Sequence, residues 1–402
     1  MQSLELNLTP FEAVEQCRHL PGLVFFDSAL ETGAAISIIA ASPAEIVTGK
    51  SERDWGILRE KIASRQRNDC TGMPHGFAAG TVDYEGAFHF GFYEDLLVYR
   101  HADASWHSAG ELDSQLRAPA PSPRSSPDPL QFTPQIPREQ FCGIVRQAKD
   151  YIVAGDIYQV NLSQKFTSPW SGDPLNFYGA LRDCSPAPYA AYLDQGGRVV
   201  LSSSPESFLK MNGREIRTRP IKGTRPRRDE TWADEKSARE LVTSPKEIAE
   251  LIMITDLERN DLGQVCDYGS VQVNELLKLE RYEQVFHLVS TVEGRLRPEV
   301  DPVTALRACF PGGSITGAPK KRAMEIISEL EPVERGLYTG AIGWFGFNGE
   351  SQFNIAIRTV ILENKQAHFH VGAGIVADSD PEAEYEETLH KARGILLAGD
   401  RM

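Results

Sequence analysis

The chain has 402 residues, 41% hydrophobic and 24% charged, with 56 acids against 42 Lys and Arg and a formal charge of −14. That mix is globular and excludes general disorder, and the length makes room for roughly two to three domain-sized units. The acidic balance argues against a nucleic-acid partner, and the absence of any run of about 18 apolar residues excludes a spanning helix, so no membrane association is expected.

The opening MQSLELNLTPFEAVEQC carries acids where a signal peptide has basic residues and an apolar run, so a cytoplasmic location is expected. Residues 22–30, 36–47 and 77–99 are rich in Phe, Val, Ile and Tyr and broken by Gly and Pro, which predicts strands. Residues 119–137 contain seven prolines; such a segment neither pairs in a sheet nor continues a helix, so it reads as a surface connection. The chain thus divides into a strand-rich region (1–117), a Pro-rich connection (118–137) and a larger part (138–402).

The larger part opens with a helical pattern over 138–154. Asn212-Gly213 and Asn348-Gly349 are hairpin signals. The run FNIAIRTVIL alternates as a single strand would, with Phe353, Ile355 and Ile357 on one face and Asn354, Ala356 and Arg358 on the other. Helices are interleaved without a regular βαβ repeat, which predicts an α+β fold. The six cysteines, Cys17, Cys70, Cys142, Cys184, Cys266 and Cys309, contain no C-x-x-C pair. They read as buried or incidental thiols in a reducing compartment.

Several segments carry chemistry. Glu206 follows a strand-like run in LSSSPESFL, where a plain turn acid is the simpler reading. Residues 217–228 hold six bases, including Lys222, in an acidic protein. That local field suits an anionic ligand and, were Lys222 buried, favours its neutral nucleophilic form. The same run also fits an exposed loop with Arg227 and Arg228 answered by Asp229 and Glu230. Ser244, Pro245 and Glu247 predict a helix start with a capping box. Glu247 and Glu250 then share a face, as do Glu384, Glu387 and Lys391 on a helix starting near Asp380-Pro381. Solvated helix faces fit this spacing. Two facing carboxylate pairs in a cleft would instead need a divalent cation, and oxygen-only ligands favour Mg²⁺. His287 lies in an apolar run where a hydrogen-bonded structural imidazole is common. The Gly-rich residues 310–320 lack the Lys-Ser/Thr of a nucleotide-binding loop, which excludes an NTPase, though their amides can hold a carboxylate. The turn Gly372-Ala-Gly374 offers similar amides.

Nine ordered blocks cover nearly all of residues 138–402: GDIYQVNLSQ, LSSSPESFL, RPIKGTRPR, SPKEIAELIMITDLERNDLG, VFHLVSTVEG, FPGGSITGAPKKRAMEII, GLYTGAIGW, FNIAIRTVIL and VGAGIVADSDPEAEYEETLHKA. Together they resemble the chorismate-utilising enzymes, which include anthranilate, aminodeoxychorismate, isochorismate and salicylate synthases. The resemblance implies two orthogonally packed antiparallel β-sheets flanked by helices, with the N-terminal region on the same core. It implies Mg²⁺ held by Glu247, Glu250, Glu384 and Glu387, with Glu250 and Glu387 ligating directly. Chorismate contacts match Gly223, His287, Ser314, Tyr338, Arg358, Gly374 and Lys391, and the acid at the departing hydroxyl matches Glu206.

Two positions separate the branches of the family. Where the isochorismate and salicylate branches carry a Lys that activates water, this chain has Gln159, which is no effective base. In PIKGT the aminodeoxychorismate branch has Lys where anthranilate synthases have Ala, and Lys222 stands there. The resemblance therefore implies amination of chorismate at C4 through a Lys222 adduct, toward 4-aminobenzoate and folate. Ammonia would come from a separate glutamine amidotransferase subunit, since no Cys lies in a nucleophile-elbow setting. Anthranilate formation and non-catalytic carboxylate binding are the alternatives. Phe25-Phe-Asp-Ser28 departs from the L-L-E-S-like element with which anthranilate synthases bind tryptophan.

Overall fold

The computed structural model describes residues 1–402 apart from 29, 31–34, 68–72, 119–128 and 283–284. Much of the Pro-rich connection and Cys70 therefore lie outside the described residues. Among the described residues, β-branched and aromatic runs pair into two antiparallel sheets, one of 12 strands and one of 10. Strands on both sides of the Pro-rich segment meet in each sheet. Val24–Asp27 pairs with Tyr189–Asp194 in the larger sheet, and Phe77–Val82 with Ala341–Gly346 in the smaller. In that second pair Gly80 lies opposite Gly343. A Cβ at Gly80 would sit 1.8 Å from the His89 carbonyl oxygen, so only glycine lets the backbones approach there.

The α+β fold with two antiparallel sheets flanked by helices is the one the sequence implied. One apolar layer joins the two sheets: Val24, Ile38 and Val200 from the larger meet Phe77, Ala79 and Trp344 from the smaller. The outer face of the larger sheet packs on helices Pro174–Cys184 and Pro381–Asp400 through Leu175, Phe177, Leu181, Ala392 and Ile395. Helices Glu52–Arg65 and Pro302–Cys309 cover the smaller sheet. The predicted helix is found as Arg138–Ala154, closed by Gly155 in the left-handed conformation.

Two local expectations are corrected. FNIAIRTVIL is not one strand. Glu350–Ile355 belongs to the smaller sheet and Thr359–Glu363 to the larger. The chain changes sheet at 356–358, with Arg358 at φ +50°. Both faces of 353–356 are buried, so the alternation does not separate core from solvent. The first hairpin turns at Gly213-Arg214, one residue later than Asn212-Gly213, because Asn212 still pairs with Glu215. The second hairpin turns around Asn348-Gly349, with Gly349 at φ +86°.

Candidate functional site

Two capped helices aim four carboxylates at one region. Ser244 caps Pro245–Gly263, its hydroxyl accepting from the Glu247 amide at 3.4 Å. The other half of the predicted capping box is missing. The Ser244 amide instead bonds the Leu241 carbonyl at 3.3 Å, which frees the Glu247 carboxylate to meet Arg225 at 3.5 Å. Asp380 caps Pro381–Asp400 through the amides of Glu382 and Ala383.

Lys246, which sequence reasoning passed over, ties the two helices together. Its ammonium lies 3.7 Å from Glu384. Burial works against its charge, but Glu384, Glu250, Glu387 and Glu247 together hold it above the usual lysine range. The available signal was position: Lys246 precedes Glu250 by four residues and shares its helical face. Burial raises the Glu250 carboxyl, opposed by Lys222 and Lys246. Burial acts on Glu387 too, yet Lys391 at 2.7 Å keeps that carboxyl below its ordinary range.

Glu250 Oε1 and Glu384 Oε2 are buried oxygens without a hydrogen-bond partner. Unpaired buried carboxylate oxygens are costly unless a cation or donor meets them. Among the described residues no three His, Cys, Asp or Glu side chains form a ready-made metal cage. A hard cation that keeps most of its waters needs only one or two carboxylates, and this all-oxygen set fits Mg²⁺ on those terms.

Lys222 faces the same carboxylates. Its Nζ is 3.8 Å from Glu250 Oε2, and the side chain is 19% exposed. A Cβ on Gly374 would lie 3.8 Å from that Nζ and 2.6 Å from Gln159 Nε2, so Gly374 keeps the space between them open. Much of the surrounding basic run is neutralised, though by other partners than adjacent Asp229 and Glu230. Arg227 binds Asp234 at 2.9 Å, and Arg219 pairs with Glu280.

Glu206 is buried, and burial pushes its carboxyl above the usual range. The Ser314 hydroxyl, the charges of Lys222 and Lys391, and the Ile221 amide oppose that shift. The site thus holds a carboxyl biased toward its protonated form beside an amine.

The remaining candidates surround this group. Gly223 has φ +74°, and a Cβ there would meet Glu247 Oε2 at 2.9 Å. His287 Nδ1 is 3.0 Å from the Thr224 hydroxyl. Burial, then the Arg358 charge, pushes His287 down to about 4, so it is neutral at pH 7. Lys391 donates to the Gly372 carbonyl at 2.9 Å. Tyr338 stacks on His370 with centroids 5.3 Å apart, its hydroxyl against Gly372. His287, Arg358 and Lys391 line a cavity of about 330 Å³ together with residues of helix Pro381–Asp400; none of the four glutamates lines it. Among the described residues no carboxylate pairs with Arg358. A half-buried guanidinium without an acid beside an open cavity is a site for an anion.

A family model described as a chorismate binding enzyme matches residues 23–397. The chain is 49% identical over 279 residues to anthranilate synthase component 1 of Synechocystis, covering 67% of this chain and 55% of that protein. It is 48% identical over 261 residues to aminodeoxychorismate synthase component 1 of Bacillus subtilis, covering 65% and 56%. The chain thus spans about half the length of both relatives. The crystal structure of anthranilate synthase component I from Streptococcus pneumoniae superposes with a TM-score of 0.82 at 33% identity, over 91% of this chain and 93% of that one.

Proposed function

The chain belongs to the chorismate-binding enzymes, and from that premise we propose that it aminates chorismate at C4 to give 4-amino-4-deoxychorismate. The observation that carries this reading is the Lys222 amine turned into the carboxylate cluster, 3.8 Å from Glu250. Anthranilate synthases carry Ala at the matching place. In this reading the Lys222 nitrogen bonds through its lone pair to C2 of the ring. The diene shifts and the C4 hydroxyl leaves as water with the proton of Glu206. Ammonia then bonds to C4, the C2–nitrogen bond breaks, and the Glu206 carboxylate takes back a proton. Gln159 supplies no base for water, which favours ammonia as the nucleophile.

Arg358 and Lys391 offer positive charge to the two carboxylates of chorismate, and neutral His287 offers a hydrogen bond to a hydroxyl. Glu250 and Glu384 present the free oxygens that would hold Mg²⁺, with Glu247 and Glu387 completing the set. Bound there, Mg²⁺ would supply positive charge against the ring carboxylate. Glu250→Gln and Glu387→Gln should each weaken Mg²⁺ binding by about 10-fold or more, since even indirect partners of metal ligands cost that much. Calorimetric titration giving wild-type affinity for both would remove them as ligands.

Ammonia would arrive from a separate glutamine amidotransferase. The five described cysteines are all free, as a reducing cytosol would keep them. The competing reading is anthranilate formation, favoured by the 49% identity to a protein of that name. Incubation with chorismate, ammonium and Mg²⁺ followed by mass identification separates the two. Aminodeoxychorismate is the expected product, and anthranilate as the main product overturns the assignment. Glutamine in place of ammonium should give no turnover with the pure chain.

A further inference from the structure

The carboxylate stripe of helix Pro245–Gly263 does not end at Glu250. Residues 247, 250, 254, 258 and 261 fall on one helical face, and the last two are again acids. Glu258 and Asp261 are each only 2% exposed. Neither belongs to the carboxylate set assigned to the metal.

Their partners are specific. Glu258 Oε1 accepts from the Gly313 amide at 3.0 Å, and Oε2 from the Thr218 hydroxyl at 3.4 Å. A Cβ on Gly313 would sit 3.2 Å from Glu258 Oε1, so the loop presses its backbone against this carboxyl. Asp261 is bound by Lys320, whose ammonium also donates to the carbonyls of Pro311 at 2.8 Å and Cys309 at 3.2 Å. Both ends of the turn 309–313 are thereby tied to one helix. The next residue, Ser314, is the one whose hydroxyl reaches Glu206.

We propose that Glu258 is a positioning residue: through the Gly313 amide it sets the loop that brings Ser314 to Glu206. The inference deepens the reading of Glu206 as the acid and rests on it for its catalytic meaning. The groups facing Glu258 are Asp261 on its own helix, Lys320, Cys309, Thr218, the Gly313 amide and Glu206. Those facing Glu206 are Ser314, Lys222, Lys391 and the Ile221 amide. Burial raises Glu258, and so do the charges of Asp261 and Glu206, while Lys320 opposes them.

The test compares wild type with Glu258→Gln, which keeps both hydrogen-bonding arms without the charge, and Glu258→Met, which keeps only the volume. Glu206→Gln identifies the infrared carbonyl band that belongs to Glu206. In Glu258→Met that band should shift in frequency as the Ser314 hydroxyl withdraws, and Glu258→Gln should restore it. In Glu258→Met the Gly313 amide should exchange with solvent at least about tenfold faster, with Glu258→Gln restoring protection. With chorismate and ammonium, Glu258→Met should lose kcat at unchanged KM. Glu258→Gln should regain kcat. An unmoved Glu206 band in Glu258→Met overturns the link from Glu258 through Ser314 to Glu206. Wild-type Gly313 protection in Glu258→Met overturns the positioning role. Both readouts need no substrate, so a wild-type protein that fails to turn over chorismate would refute the proposed function without deciding this inference.

Discussion

Lys222→Ala should abolish most aminodeoxychorismate formation, on the order of 10³-fold in kcat, the scale on which loss of an activated catalytic group registers. The amine lies 3.8 Å from Glu250, and Gly374 leaves room beside it. Truncation leaves the strand Ile221–Pro226 intact, because its pairing with Val285–Arg295 runs through the backbone. The loss should therefore appear with little change in thermal unfolding. Rapid quenching followed by intact-protein mass spectrometry gives a second readout. Wild type should carry a chorismate-derived adduct that has lost water, and Lys222→Ala should carry none. Turnover within about tenfold of wild type, or an adduct persisting on the variant, would remove Lys222 as the nucleophile.

Arg335→Leu should cost about 3–5 kcal/mol of folding stability, the scale for stripping one partner from a buried ion pair. The Arg335 and Glu331 side chains are 1% and 5% exposed and 2.8 Å apart. The guanidinium also donates to the carbonyls of Asn161 at 2.6 Å and Ile315 at 3.1 Å, and to the Thr339 hydroxyl at 3.1 Å. Leucine would leave the buried Glu331 carboxylate its Ser163 amide partner but no countercharge, and strip a donor from two buried carbonyls. Adding Glu331→Leu should recover part of the loss, because it removes the stranded charge. Urea unfolding of the three proteins measures both effects, and a single-variant loss under about 1 kcal/mol would show that the pair contributes little. The same contacts bind the loop after Ser314 to the segment carrying Tyr338, so the variant should also weaken substrate binding.

Local rules read directly from the residues account for much of what is seen. Pro245 and Pro381 behind Ser244 and Asp380 start both glutamate helices where expected, and spacing of three places each carboxylate pair on one face. FNIAIRTVIL was misread because alternation reports one half-buried sheet, whereas here the strand lies between layers and then crosses to the other sheet. That crossing is what carries Arg358 to the cavity wall at φ +50°. Glu247 looked like a cap because the signal is local. Its release depends on the Ser244 amide finding Leu241 on the preceding turn. Lys246 and Glu258 were visible as charges on the right helical face, but nothing local tells which distant group each one meets. Arg335 has local partners at 331 and 339, but its burial rests on the carbonyls of 161 and 315, which only folding brings to it.

The order of residues alone determined the helix starts, the strand-rich runs, the family and the chemical type of each candidate side chain, because caps, propensities and motifs act over a few neighbours. Tertiary structure decided which carboxylates keep a free oxygen, which cations are consumed in ion pairs, and which arginine faces an open cavity. Burial and pairing are properties of contacts between distant segments, and the energy of a charge depends on them more than on its own sequence surroundings.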